Sequence, residues 1–170
     1  LRLTQGAFVS IGDLPKYAAK GQRQKLDRDW TKLLHREGLS PFLPEWSEPP
    51  AKLERAIREF NEAQYWQCHE TLEELWLPEE YPLRLFYQGL IKTAVGLLHL
   101  ERHNRQGGTA KLRDAQYALT PFSPRFMGVE IDNLLSEISK RLAYCQDARV
   151  EDWYAIDQLS PVYINFEKSY

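Results

Sequence analysis

The sequence predicts an all-α fold, a compact multi-helical bundle, and three observations carry that reading. Apolar residues recur at helical spacing in one segment after another, as in Leu26, Trp30, Leu33 and Leu34 near the start and Ile131, Leu134, Leu135, Ile138 and Leu142 near the end. Prolines fall between these segments rather than inside them, where each would break a backbone hydrogen bond. One long stretch, 83–104, is apolar on most sides, the mark of a buried central helix.

Taken in order, a first helix is predicted over 22–37, with a charged face opposite the Leu26 stripe and Gly38 as its C-terminal cap. Pro41, Pro44, Pro49 and Pro50 then make 38–50 an extended connector, since proline lacks a donor and disfavours helix in the residue before it. Pro50 also suits the first turn of a helix reaching Asn61, in which Leu53, Ile57 and Phe60 repeat at helical spacing. A break at 61–64, with Asn61 as terminator, precedes a helix over 65–76. Pro78 and Pro82 bracket a turn before the central helix, which Gly107 and Gly108 are expected to end. Thr109 caps a shorter helix to Leu119, with Leu112, Ala115 and Leu119 facing inward. After a turn at 120–124, the last strong helix runs over 128–145. Trp153, Tyr154, Val162, Tyr163, Ile164 and Phe166 are too apolar for a free tail, so 146–170 is expected to lie extended across the bundle rather than to form a strand of a sheet. The chain thus divides into an N-terminal arm with its connector (1–50), a helical core (51–145) and a C-terminal wrap (146–170).

Composition narrows the function. At 170 residues a single domain buries about 70% of its unfolded surface and needs no disulfide or metal merely to fold. A net charge of -2 offers no general attraction for nucleic acid or an anionic membrane, so neither is expected as a partner. No apolar run approaches a membrane span, because 86–100 is interrupted by Gln88, Lys92 and His99. Cys68 and Cys145 form no CxxC pair and read as reduced thiols. The expected compartment is the cytoplasm, or the plastid stroma if a targeting segment lies upstream of Leu1.

The chemistry concentrates in Cys68-His69-Glu70-Thr71-Leu72-Glu73-Glu74-Leu75-Trp76. At about 100° per residue, His69 and Glu73 lie one turn apart on one face and Glu70 flanks them. His-Glu-x-x-Glu has the spacing of a zincin motif whose second histidine is a carboxylate, and imidazole with carboxylate suits zinc, manganese or iron. Glu70 would then act as acid/base on a bound water. On the central helix Gln88, Lys92 and His99 fall along one stripe, which nominates His99 as a third metal ligand and Gln88 as a group orienting a substrate. A buried Lys92 beside Glu70 or Glu73 would instead compete with the metal as an ion pair. The competing reading is structural: His69 bonds a neighbouring helix and the glutamates meet basic side chains, as buried polar groups require.

Other features read as structure. His103, one turn after His99, is surrounded by Glu101, Arg102, Asn104 and Arg105 and reads as a solvated helix end. Cys68 points about 100° away from His69 and reads as core filler, not a nucleophile. Gly89 and Gly96, seven residues apart, permit close helix contact.

In order along 53–119, the strings Phe60-Asn61-x-x-x-Tyr65-Trp66-x-x-His69-Glu70-x-Leu72-Glu73-x-x-Trp76, Phe86-Tyr87-Gln88-Gly89-Leu90-Ile91, His99 with Asn104, and the run from Gly107 to Leu112 resemble the family known as domain of unknown function 309, a small multi-helical domain of prokaryotic and plastid type. The resemblance implies a compact helical fold and a polar cluster at His69, Glu70, Glu73, Gln88 and His99, and no established activity. Gly108 stands where alanine is expected and His103 where a small residue is usual, and the residues before about Ala51 lie outside the resemblance.

The leading functional expectation is therefore a pocket in which His69, Glu73 and His99 hold a divalent cation, zinc or manganese, or a small polar ligand, with Glu70 as acid/base and Gln88 orienting the substrate; hydrolysis is its natural reaction. The alternative is a non-catalytic domain for self-association or a protein partner, docking through the Trp30 arm and the aromatic segment 153–166, in which the cluster only rigidifies the fold.

Overall fold

The computed structural model of the chain describes residues 23–39, 42, 49–147 and 153–167. Its helices are α1 (Arg23–Glu37), α2 (Ala51–Asn61), α3 (Tyr65–Trp76), α4 (Leu83–Glu101), α5 (Arg105–Leu119), α6 (Ile131–Asp147) and the short α7 (Trp153–Asp157). A two-stranded antiparallel hairpin, β1 (Arg125–Phe126) and β2 (Val129–Glu130), precedes α6. The expected arm before residue 23 and most of the Pro-rich connector lie outside the described residues.

The all-α expectation is met, and α4 is the hub. Leu85, Phe86, Tyr87, Leu90, Ala94, Leu97 and Leu100 are all buried on it, and α3 and α5 pack along its flanks. Glycine lets α5 approach closely, as expected at Gly89 and Gly96: a Cβ at Gly96 would stand 2.8 Å from Leu112 Cδ2 and 3.3 Å from the Leu112 backbone nitrogen. Gly107 and Gly108 do not end α4, contrary to expectation. The helix stops at Glu101, and Asn104 opens α5 three residues earlier, its side chain accepting from Gly107 N at 2.9 Å. Gly108 is used instead for helix contact, since a Cβ there would meet Leu100 Cδ2 at 2.4 Å.

The helix α1 ends as its sequence predicts, with Gly38 at φ 78° donating to Leu34 O. Its stripe of Leu26, Trp30, Leu33 and Leu34 is buried in the same core as α4. Trp30 stacks on Tyr81 at 5.2 Å and meets Phe42 edge-on at 5.6 Å, so it is not an exposed docking residue. Between α2 and α3 the left-handed residue is Ala63 (φ 57°) rather than Asn61. Asn61 instead clamps the C-terminal segment: its Nδ2 donates to Ile164 O at 3.0 Å and its Oδ1 accepts from Ile164 N at 2.8 Å.

The last helix starts at Ile131, not 128, because Met127 and Gly128, both at positive φ, turn the chain into the β1–β2 hairpin. The C-terminal segment buries Val162 and Ile164 against the core, but it is not extended throughout: α6 runs on to Asp147, Trp153–Asp157 forms α7, and Phe166 bridges Val129 of the hairpin. No helix among the described residues is long and apolar enough to cross a membrane.

Candidate functional site

The inward face of α3 is built by Tyr65, Cys68, Thr71 and Leu72, all buried. The stripe beside it carries His69, Glu73 and Trp76 into a cleft of about 270 Å³ whose other wall is Gln88, Ile91, Lys92 and Val95 of α4, with Lys111 of α5 at its rim. Helical spacing alone places His69 over Glu73, one turn apart. Packing does the rest: the imidazole is only 16% exposed and lies 5.2 Å from the Trp66 ring, centroid to centroid.

Two carboxylates straddle that imidazole. Glu73 Oε1 is 3.2 Å from Nε2, and Glu70 Oε1 is 3.2 Å from Nδ1 on the opposite side of the ring. Neither contact is aligned as a hydrogen bond, and Nδ1 is buried without a hydrogen-bond partner. Among the described residues this trio is the one group of three side chains whose His, Cys, Asp or Glu ligand atoms converge closely enough for a metal ion, all within 4.8 Å.

His99 does not join it. It is absent from the residues lining the cleft and from the group whose ligand atoms converge. The near-superposition of Gln88 and His99 in helical angle gives a shared direction and not a shared point. Asn104 Nδ2 lies 3.1 Å from His99 Nδ1 and donates to it, so His99 belongs to the α4–α5 turn that Asn104 organises. His103 is not simply solvated either. It adopts φ 52°, stacks on Trp153 at 4.7 Å and lies 3.3 Å from Asp157 Oδ2.

Gln88 does line the cleft with His69 and Glu73. Its Nε2 donates to Asp27 Oδ2 at 2.8 Å, and the hydroxyl of Tyr81 donates to the other oxygen of the same carboxylate. Burial, reinforced by that bond to Asp27, pushes the Tyr81 phenol well above its ordinary pKa. Lys92 forms no close pair with Glu70 or Glu73. Its nearest carboxylate is Asp114, at 3.9 Å, and burial holds its ammonium below the usual lysine pKa. Cys68 is fully buried and burial raises its thiol pKa far above the physiological range, which removes it as a nucleophile.

Beyond Gln88 the cleft opens into a second depression of about 560 Å³. It shares Trp76, Gln88, Lys92 and Lys111 with the first and is closed on its far side by Asp27, Arg28 and Thr31 of α1 and by Asp114 and Tyr117. Asp27 is the functional wall residue that sequence reasoning passed over. The signal was present, since Asp27, Trp30, Thr31 and Leu34 share the inward spacing of α1, and a carboxylate on that stripe demands partners.

Residues 53–110 match the family described as Domain of unknown function (DUF309). The matched stretch runs from α2 into the start of α5, so it contains His69, Glu70, Glu73, Gln88, Lys92 and His99 and leaves out Asp27 and Lys111. Among curated proteins, the chain is similar to Protein RecA of Francisella tularensis subsp. novicida (strain U112) and of Francisella tularensis subsp. tularensis (strain SCHU S4 / Schu 4). Each match is 43% identical over 44 residues, 26% of this chain and 12% of the RecA chain. The chain therefore spans about 12% of the length of these curated relatives.

Proposed function

Residues 53–110 match the DUF309 family, and we propose that the α3–α4 cleft is a binding site in which His69 Nε2 and Glu73 hold a divalent cation, zinc or manganese, that in turn holds a small polar ligand. The observation that carries this is a mostly buried imidazole straddled by two carboxylates at the wall of a cleft. The 3.2 Å between Nε2 and Glu73 Oε1 matches two adjacent ligands on one ion, because bonds of about 2.1 Å to each give an angle of about 100°. On the opposite nitrogen, Glu70 stands 3.2 Å from Nδ1, and a rotation bringing its carboxylate into line would let it accept a hydrogen bond from Nδ1–H, fixing the tautomer that leaves the Nε2 lone pair for the ion. With two protein ligands, most of the coordination shell is left to water and ligand, which is the arrangement of a catalytic rather than a structural ion. Hydrolysis is the reaction it suits, since a bound cation lowers the pKa of its water. Gln88, its amide fixed by Asp27, presents a polar group across the cleft.

The test is thermal melting of the whole protein with chelator, zinc or manganese, beside His69→Ala and Glu73→Gln. The expected result is an upward shift for the wild type, about 2.7 kcal/mol at a hundredfold excess over Kd, and none for either variant. Unchanged wild-type melts, with no metal found by elemental analysis, would leave the trio only a packing role.

A second reading, a protein-contact surface, is favoured by Trp66, whose indole is 54% exposed beside the His69 ring. An exposed tryptophan on a rigid helix is an interface anchor in form. That reading expects a concentration-dependent mass that Trp66→Ala abolishes.

A further inference from the structure

The cleft carries more positive charge than its own carboxylates answer. Lys92 projects from the middle of α4 and Lys111 from α5, and both line the two depressions where these meet. The Lys92 side chain is 25% exposed, and its Nζ donates no hydrogen bond to any described residue. Its single carboxylate neighbour within 4 Å, Asp114, stands at 3.9 Å on a side chain 59% exposed, and Asp27 on the far wall, already bound by Gln88 and Tyr81, adds a weaker attraction. Lys111 has no ion pair or hydrogen bond among the described residues, and it is near enough to Lys92 to weaken that ammonium further. A lysine normally leads its ammonium out to water. Here two of them stem from neighbouring helices whose approach is fixed by Gly96 against Leu112, so their backbones stay close unless α5 unpacks from α4.

We infer that Lys92 and Lys111 form an anion site, the binding place for the phosphate group of a small phosphorylated compound. Two ammonium groups lining one depression suit a compact dianion with several acceptor oxygens better than a single carboxylate. Arg28 extends the positive rim on the α1 side, and Trp76 gives the flat apolar wall that an organic moiety needs beside its phosphate. The adjoining space, about 560 Å³, is of the size small-molecule sites use. The inference goes beyond the cation reading and stands without it, because it uses Lys92, Lys111, Arg28 and Trp76 and neither His69 nor Glu73.

The experiment is calorimetric titration of the full chain, in chelator, with inorganic phosphate and separately with glycerol 3-phosphate, against succinate. The proteins are wild type, Lys92→Met, Lys111→Met, the double variant, and Lys140→Met as a remote control. Binding of both phosphates is expected, with glycerol 3-phosphate the tighter and each cleft substitution weakening it about tenfold. Lys140→Met should bind as wild type. Both cleft variants should still respond to zinc as the wild type does, which separates failure of this site from failure of the cation site. Tighter binding of inorganic phosphate than of the ester would assign a free-ion site and overturn the small-compound reading. The inference fails if neither phosphate saturates below about 10 mM, if the double variant binds undiminished, or if succinate binds as well. Lys111→Met, on a partly exposed side chain, keeps the test decisive should Lys92→Met disturb the core.

Discussion

Gln88 of the hub helix donates a 2.8 Å hydrogen bond to Asp27 of α1, across the wall of the cleft. With Tyr81 donating to the other oxygen, one carboxylate from outside the matched family segment fixes a glutamine inside it. The wall of the larger depression thus joins residues of the matched segment to residues outside it. Replacing Asp27 by Ala leaves the Gln88 amide and the Tyr81 hydroxyl without their acceptor, at a cost of about 1 to 3 kcal/mol. Urea unfolding should show the midpoint falling with the slope unchanged. An unmoved midpoint would mean that α1 is attached by its apolar stripe alone.

The two glutamates that flank His69 should differ when tested. Glu73 shares Nε2 with the proposed ion, whereas Glu70 sits at Nδ1. Glu73→Gln should abolish the zinc-induced melting shift, and Glu70→Gln should weaken zinc binding by only about tenfold, as loss of an orienting carboxylate does. Equal losses, measured by competition with a chromophoric chelator, would place Glu70 on the ion itself.

Close packing of α5 on α4 supplies a test of the scaffold beneath the site. Gly96→Ala gains about 1 kcal/mol of helix propensity. It also drives a Cβ to 3.3 Å from the Leu112 backbone nitrogen and 2.8 Å from its side chain, an overpacking expected to cost about 1 to 3 kcal/mol. A net loss is predicted, because the backbone contact cannot be relieved by a rotamer change. Thermal melting decides it, and a stabilised Gly96→Ala would show that α5 can slide outward.

What the sequence made legible follows from which constraints are local. The stripe of α1, the hub character of α4, the break before α3 and the juxtaposition of His69 with Glu73 all come from spacing within one helix, and each is present. His99 was misplaced because angular register says nothing about distance along the axis. The β1–β2 hairpin was overlooked because Met127–Gly128 gives a weak turn signal beside the strong apolar period of α6. Asp27 and Lys111 escaped notice for a third reason: the partner of Asp27 comes from α4, and Lys111 meets the depression only once α1, α4 and α5 are docked.

Stability at alkaline pH should report the burial of the tyrosines around the hub. Tyr65, 6% exposed and edge-on to Phe60 at 5.3 Å, has its phenol pushed up from 10.0 to about 12, first by burial and then by the Glu101 carboxylate. A raised acid pKa favours the protonated form in the folded state. Below pH 10 the phenol is protonated whether the chain is folded or not, and its contribution is fully present. Between pH 10 and about 12 the unfolded chain releases a proton that the folded one keeps, so stability falls as pH rises; a shift of this size corresponds to about 2 to 3 kcal/mol. Tyr81 and Tyr87 are shifted in the same direction by burial and steepen the fall in both proteins compared. The difference between wild type and Tyr65→Phe therefore isolates Tyr65, and the wild-type urea midpoint should fall relative to the variant's as pH rises from 10 to 12. Curves that stay parallel would mean that the Tyr65 hydroxyl reaches water in the folded state.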